Sequence, residues 1–161
     1  MHNENQKSLQ MEAYRLTEMR LDAQIQFAVA SDQRSLVLAA ISVALAGVLV
    51  SMFDKAADLF WLTGATILFS ISALFASLAA FPQEMKVKGS KYGRLKNLID
   101  DGEEFLNVIA GLSEENDEAI AENAGKAEIR AHLYRLAVVF FAIGVCLAVW
   151  VVTTEASARP L

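Results

Sequence analysis

The chain has 161 residues, enough for one ordinary domain, and 55% of them are hydrophobic while 20% are charged. Its formal net charge of −5 says little by itself, because the charged residues are unevenly distributed along the chain. Cys146 is the only cysteine, which excludes a disulfide framework and a site built from several thiolates.

Three segments contain no Asp, Glu, Lys, Arg or His: residues 35–53, 59–81 and 136–154. A helix rises about 1.5 Å per residue, so each segment is long enough to cross a hydrocarbon layer of roughly 30 Å. A soluble domain would have to surround three helices that are apolar on all sides, and a chain of this length cannot do so. The sequence therefore predicts an all-α membrane protein with three transmembrane helices.

The N-terminal part favours one long helix. No Gly or Pro occurs between Lys7 and Ala46, and we expect an unbroken helix over about residues 8 to 53. Its first half is polar and charged, which does not resemble a cleavable signal peptide. Apolar residues recur there at a spacing of three and four that is interrupted by Glu18: Met11, Tyr14, Leu21, Ile25 and Ala28.

The first two spans are predicted to form a tight antiparallel hairpin, because the five residues 54–58 reach at most about 18 Å. The third span follows as a separate helix. Small residues recur at every fourth position of the hairpin, a spacing that lets helices approach closely in lipid, whether the partner is a neighbouring span or another subunit. They are Ser42 and Ala46, Gly47 and Ser51, and Ser72, Ala76 and Ala80.

Residues 82–135 form a polar insert between the second and third spans. Pro82 ends the second span, because proline lacks the N–H donor and restricts the residue before it. The glycine-containing stretch that follows is expected to be irregular. Asp100 or Asp101 can cap a short helix that stops at Gly111.

Ser113 is a second N-cap candidate, from which one helix can run to about Val152. A stripe on the insert half of this helix is predicted to pack against the N-terminal helix in a cytoplasmic helical bundle. The stripe consists of Ile120, Ala124, Ala127, Ala131 and Tyr134.

Lys and Arg near the span ends predict the orientation. Most flank one side, and only Lys55 and Arg159 lie on the other. This places a cytoplasmic N-terminal helix at 1–34 and the insert at 82–135 inside. The connection at 54–58 and a tail at 155–161 lie outside.

Catalysis and transport find little support. The chain has no nucleophile–base motif and no phosphate-binding glycine loop, and His132 has no second His or Cys nearby. The spans lack the ionisable residues of ion routes, although a passive pore made by several copies needs none. We expect a non-enzyme without a metal site, and an insert too acidic to bind nucleic acid.

A basic cluster follows the second span: Lys86, Lys88, Lys91, Arg94 and Lys96, with Tyr92 among them. One interpretation is the ordinary positive-inside signal in contact with anionic lipid headgroups. The other is a site for a small anionic ligand, with cations for a phosphate and Tyr92 for a base.

Two stretches carry a family resemblance. Ser31-Asp32-Gln33-Arg34-Ser35 leads into LVLAAISVALAGVLV and is similar to the signature that opens the first span of Pycsar transmembrane effectors, the PycTM family. The last span is entered through AEIRAHLYRLAVVFF, also as in that family. Leu133 departs from the Lys expected there beside Tyr134. The resemblance covers about residues 20 to 154, and SLATT-type effectors share the layout.

The resemblance implies an antiphage effector of the bacterial inner membrane. A partner cyclase would make a cyclic pyrimidine nucleotide, cCMP or cUMP, as the activating ligand. The effector would then form a homo-oligomer, impair membrane integrity and kill the cell. Two alternatives fit the same layout: a non-catalytic membrane adaptor for a soluble partner, and a holin-like passive pore.

The expected ligand-binding residues come from the matched signature and the basic cluster: Asp32, Arg34, Lys91, Tyr92, Arg94 and Lys96. Asp32 and Arg34 are two apart on a helix and therefore point to different faces. We expect Asp32 to meet a cation of the basic cluster, and Arg34 to meet a phosphate or a lipid headgroup.

Overall fold

The computed structural model describes residues 2–53, 59–87 and 104–158, and nearly all of them are helical. Helix α1 is His2–Ser51, α2 is Leu59–Ala79 and α3 is Phe105–Ala158. No strand occurs among the described residues, so the predicted all-α fold is confirmed.

Helix α1 confirms the prediction of one unbroken helix. It begins earlier than expected, at His2, and ends at Ser51. Helix α2 ends at Ala79, three residues before Pro82, as proline predicts.

Helix α3 corrects the expected division of the insert into two helices. It runs through Gly111 without a break, and the Ser113 hydroxyl donates to the Ile109 carbonyl at 3.0 Å instead of capping a new helix. The helix starts after Glu104, whose carbonyl accepts the N–H groups of Asn107 and Val108. A glycine inside a helix costs only about 1 kcal/mol relative to alanine, which a long packed helix tolerates. The cap candidates Asp100 and Asp101 lie outside the described residues.

All three helices are long and apolar enough to cross a membrane. Only 17% to 33% of their most apolar windows is buried within one copy of the chain. Large apolar side chains of all three helices are exposed, among them Leu36, Phe60 and Val139, whereas soluble monomers rarely expose large contiguous apolar patches. These properties are those of a multi-pass membrane protein.

The chain forms two compact units. The first unit comprises Met1–Val29 and Gln83–Ala127, and the second unit comprises Ala30–Pro82 and Glu128–Leu161. Both α1 and α3 contribute to each unit, whereas α2 lies in the second unit alone.

In the second unit, α1 and α2 form the predicted antiparallel hairpin. The hydroxyl oxygens of Ser42 and Ser72 are 3.1 Å apart, and Leu49 belongs to the same apolar cluster as Leu62. The Ser72 hydroxyl donates to the carbonyl of Ala137 at 2.8 Å, which joins α3 to the pair. Hydrogen bonds between polar side chains and neighbouring helices are typical of packing in lipid.

The small residues of the hairpin pack against a neighbouring span in one part, and in another part they meet no span of the same chain. Ser42, Ser72 and Ala76 are fully buried at the helix contacts. Gly47 and Ser51 are exposed, because their face of α1 points away from α2 and α3.

Glycine allows α2 and α3 to approach closely. A Cβ on Gly144 would lie 3.2 Å from the Phe69 ring, and one on Gly64 would lie 3.3 Å from Leu147. The Phe69 ring also meets the edge of the Phe141 ring, with 5.5 Å between the ring centres. This end of the second unit is therefore packed without spare room.

In the first unit, α1 and α3 run side by side in the same direction. The Asn116 amide donates to the Thr17 hydroxyl at 3.2 Å, and the Gln24 amide donates to the Ile120 carbonyl at 3.3 Å. Among the apolar positions predicted for α1, Leu21 and Ala28 are buried and Met11 is exposed.

The stripe predicted for α3 is only partly correct, because Ala124 and Ala131 are exposed whereas Ile120, Ala127 and Tyr134 are partly buried. Many of the buried residues of α1 and α3 recur every seven positions, and several are polar. In the first unit they are Leu21 and Ala28 of α1, and Ile109, Asn116 and Asn123 of α3. In the second unit they are Ser35, Ser42 and Leu49 of α1, and Arg130, Ala137, Gly144 and Val151 of α3. A seven-residue spacing is that of left-handed helix pairs, in which a few buried polar residues fix the register.

Candidate functional site

Arg130 connects all three helices of the second unit. It lies on α3 and is 5% exposed. One nitrogen of its guanidinium forms an ion pair with Asp32 of α1. Its Nε donates to the carbonyl of Ala79, the last residue of α2, at 2.9 Å. One side chain thus contacts α1 and α2 at the same time.

The position of Arg130 suits its chemistry. The last carbonyls of a helix have no partner within the helix, and the helix dipole makes that end negative. Arginine offers several N–H donors in a planar fork and stays charged at any physiological pH. Burial lowers the pKa of the Arg130 guanidinium, and its contacts with Asp32 and Ala79 offset this loss of hydration.

The two charged residues of the Ser-Asp-Gln-Arg-Ser signature, Asp32 and Arg34, face different ways, as predicted. Asp32 points to Arg130, while Arg34 is exposed. Arg34 lines an open groove of about 540 Å³ in the second unit, together with Gln33 and Tyr134. The rest of the groove is apolar and is formed by Ala30, Val37, Leu38 and Ile41.

In the first unit, a short non-helical segment, residues 83–87, is held against α3. We call it the strap. The Lys86 N–H donates to the Asn123 side-chain oxygen at 3.0 Å, and the Asn123 amide donates to the Lys86 carbonyl at 2.9 Å. Asn123 is 1% exposed and binds the strap backbone as a neighbouring peptide strand would.

Charged groups add to the attachment of the strap. The Lys86 ammonium lies 2.6 Å from the Glu122 carboxylate. Lys126 donates to the other Glu122 oxygen at 2.9 Å and to the Glu84 carbonyl at 2.7 Å. The hydrogen bonds from Lys86 and Lys126 lower the pKa of Glu122, and the bond to Glu122 raises the pKa of Lys86.

A second groove lies between α1, α3 and the strap, with a volume of about 470 Å³. Its polar side chains are Arg20, Gln24 and Asn123. Its apolar lining consists of Ala23, Phe27, Ala28, Met85, Ile120 and Ala127. We call it the strap groove. A concave, mostly apolar surface of this volume with a few polar groups is typical of sites for small organic ligands.

The structure gives the ligand residues predicted from the sequence different partners and surroundings. Asp32 binds Arg130, and the one described cation of the basic cluster, Lys86, binds Glu122. Arg34 lines the open groove of the second unit. The other four predicted residues, Lys91, Tyr92, Arg94 and Lys96, lie outside the described residues.

Three polar residues of evident structural importance were missed by sequence reasoning: Gln24, Asn123 and Arg130. The available signal was that Asn116, Asn123 and Arg130 are seven apart and lead to Ala137. A polar residue at such a position is buried in the contact between the helices, together with the apolar residues seven positions away. Hydrophobic periodicity alone assigns it to the solvent face.

The described residues contain no group of three or more His, Cys, Asp or Glu that could hold a metal ion. Cys146 is exposed on the surface of the third span. The arrangement of side chains described above can bind a ligand and hold helices together.

Comparison with known proteins gives one match. The model of the PycTM family, described as the Pycsar effector protein domain, matches residues 15–156. No curated protein and no solved structure matches the chain. The matched range includes α1 from Arg15 onward, the whole of α2 and nearly all of α3. The resemblance carried by the Asp32–Arg34 signature is thereby confirmed, and the chain belongs to the Pycsar effector protein domain family.

Proposed function

We propose that this protein is the membrane-impairing effector of an antiphage defence system, activated by a cyclic pyrimidine nucleotide. A partner cyclase would make the nucleotide, cCMP or cUMP, during infection. The observation that carries the proposal is the family match over residues 15–156, which includes all three apolar helices.

The proposed location is the bacterial inner membrane, with the N-terminus and residues 82–135 in the cytoplasm. The uneven distribution of Lys and Arg supports this orientation. The shared direction of α1 and α3 within each unit also supports it, because two spans that cross in the same direction start from the same side. A nucleotide made in the cytoplasm would then reach the first unit.

We propose that the active form is a homo-oligomer. The hydroxyls of Ser42 and Ser72 in the second unit are buried, lie 3.1 Å apart and are each within hydrogen-bond distance of a helix carbonyl, so they line no water-filled path. Large apolar side chains cover the outer faces of the spans, including Val43, Ile67 and Val149. A leak therefore requires several copies or a defect in the bilayer around them.

We propose a non-catalytic role, in which ligand binding changes how the helices pack. Asp32, Arg130 and the end of α2 meet at one point of the second unit, so a change there reaches three helices together. A signal would act on the spans through this contact of Asp32, Arg130 and the end of α2.

Dye release from liposomes tests the function. The purified full-length protein would be reconstituted with a trapped fluorescent dye, and cCMP, cUMP, cAMP and cGMP would be added separately. The proposal expects release with one pyrimidine cyclic nucleotide and none with the purine nucleotides. Release without any nucleotide would identify a holin-like pore. Absence of both release and nucleotide binding would favour an adaptor.

A further inference from the structure

The strap groove presents three side chains of different chemistry on one face of α1. Arg20, Gln24 and Phe27 are spaced at i, i+4 and i+7, which aligns them along the helix. They offer a cation, an amide and an aromatic ring in that order. A nucleotide carries the matching groups: a phosphate, a hydrogen-bonding base edge and a flat ring face.

Gln24 supplies the most specific observation. Its amide nitrogen donates to the Ile120 carbonyl, which fixes the orientation of the side chain. Its Oε1 atom is removed from solvent and accepts no hydrogen bond from the described residues. A buried acceptor without a donor costs about 1 to 3 kcal/mol. A ligand N–H group in the groove would remove that cost once the Gln24 side chain turned its oxygen toward the groove. Cytosine and uracil both carry such a group on the base edge.

Phe27 and Arg20 suit the remaining parts of such a ligand. The Phe27 side chain is 66% exposed although the groove beside it is apolar, so its ring is free to stack on a base. Arg20 is exposed and forms no ion pair with any described residue. A guanidinium in that state can bind a phosphate through two N–H donors.

The strap completes the site from the opposite side. Met85 lines the groove, and its neighbour Lys86 is fixed to Asn123 through both backbone groups. Both polar atoms of the Asn123 side chain bind the backbone of Lys86, so Asn123 shapes the groove. Gln24 is then the residue that hydrogen-bonds the base of the ligand. A ligand in the groove would contact α1, α3 and the strap together.

We infer that the strap groove binds the activating nucleotide, with Arg20 on the phosphate, Gln24 on the base edge and Phe27 against the base. The inference rests on the proposed function for the identity of the ligand. It adds the residues of the site, Arg20, Gln24 and Phe27, which were not among those expected from the sequence.

Binding of cCMP and of cUMP to the full-length protein in detergent, measured by calorimetry, tests the inference. Arg20→Ala, Gln24→Leu and Phe27→Ala are each expected to weaken binding about 10-fold or more. Matched controls on the same helix are Arg15→Ala and Gln26→Leu, which make the same changes at exposed positions outside the groove. Thermal unfolding of every variant checks that the fold is kept.

Hydrogen exchange gives a second measurement. Nucleotide binding is expected to slow exchange in the strap of the wild-type protein and not in Arg20→Ala. Equal affinity of the groove variants and their controls would overturn the location of the site and leave the proposed function intact. A wild-type protein that binds neither nucleotide would overturn both.

Discussion

Arg130 and Asp32 form an ion pair between α3 and α1, and the same guanidinium binds the last carbonyl of α2. A single residue therefore holds three helices of the second unit at one level. The Arg130 side chain is buried, and that of Asp32 is partly buried. Removing either charge alone would therefore leave the other without its partner in a poorly hydrated position, which is destabilising.

Arg130→Ala is expected to destabilise the protein by about 3 kcal/mol, because it leaves Asp32 and the Ala79 carbonyl without their partner. Arg130→Lys should recover only part of the loss, since one ammonium cannot replace the planar fork. Unfolding in detergent by heat or by added SDS measures the change. Arg135→Ala removes an exposed cation from the same helix and is expected to have little effect. Equal stability of the two alanine variants would contradict the structural role of Arg130.

Gly144→Val is expected to destabilise the second unit by about 1 to 3 kcal/mol, because the added atoms would press on the buried Phe69 ring. Gly47→Val makes the same change in α1, where nothing lies within 4 Å of the added Cβ, and should be close to neutral. Thermal unfolding in the same detergent compares them. Combining Gly144→Val with Phe69→Leu should restore part of the lost stability, and no restoration would mean that the contact is elsewhere.

Asn123→Ala is expected to release the strap. The Lys86 N–H and carbonyl would lose their partners, and amide exchange at Lys86 should become about 10-fold faster or more. Asn123→Asp keeps the acceptor for the N–H and loses the donor to the carbonyl, so its effect should be intermediate. Asn107→Ala changes an exposed asparagine of the same helix and serves as the control. Unchanged exchange at Lys86 in Asn123→Ala would show that other contacts hold the strap.

The attachment of the strap should also depend on pH. The pKa of Glu122 lies below its ordinary value of 4.5, so its ion pairs add stability at neutral pH and lose it as the pH falls through the lowered pKa. The difference in melting temperature between wild type and Glu122→Gln should therefore be constant above about pH 5 and shrink in stronger acid. It should be small and decrease with added salt, since both side chains are near half exposed.

Glu114→Gln removes an exposed carboxylate from α3 and provides the comparison for this pH series. A difference for Glu122→Gln that grows toward acid pH would contradict the sign derived from the lowered pKa.

The sequence predicted the three spans well, because charge-free segments report directly on the length and environment of a helix, and the absence of Gly and Pro from residues 7–46 predicted the unbroken α1. It failed at Gly111, where a local breaker was outweighed by the packing of a 54-residue helix. It also failed to assign Arg130 and Asn123 to the interior. Their partners are 51 and 37 residues away along the chain, and hydrophobic periodicity contains no information about such hydrogen bonds.

The candidate site was predicted less well than the fold for the same reason. The signature around Asp32 identified the family, but the strap groove is assembled from α1, α3 and the strap. Its key observation, the unpaired oxygen of Gln24, depends on a contact with Ile120 across 96 residues. One sequence without its fold shows only an ordinary glutamine on a polar helix.

The seven-residue spacing of buried positions sets a rule for chain length. In the first unit, Asn116 meets Thr17 and Gln24 meets Ile120 at fixed heights along α1 and α3. Adding seven residues to each helix would turn each one by nearly two full turns and return these amides to the same face. Adding two would rotate the following residues by about 200° and present the amides to water. The α1 and α3 parts of the first unit can therefore be lengthened or shortened together in steps of seven residues. The length of the unit would change while its contacts between helices stay the same.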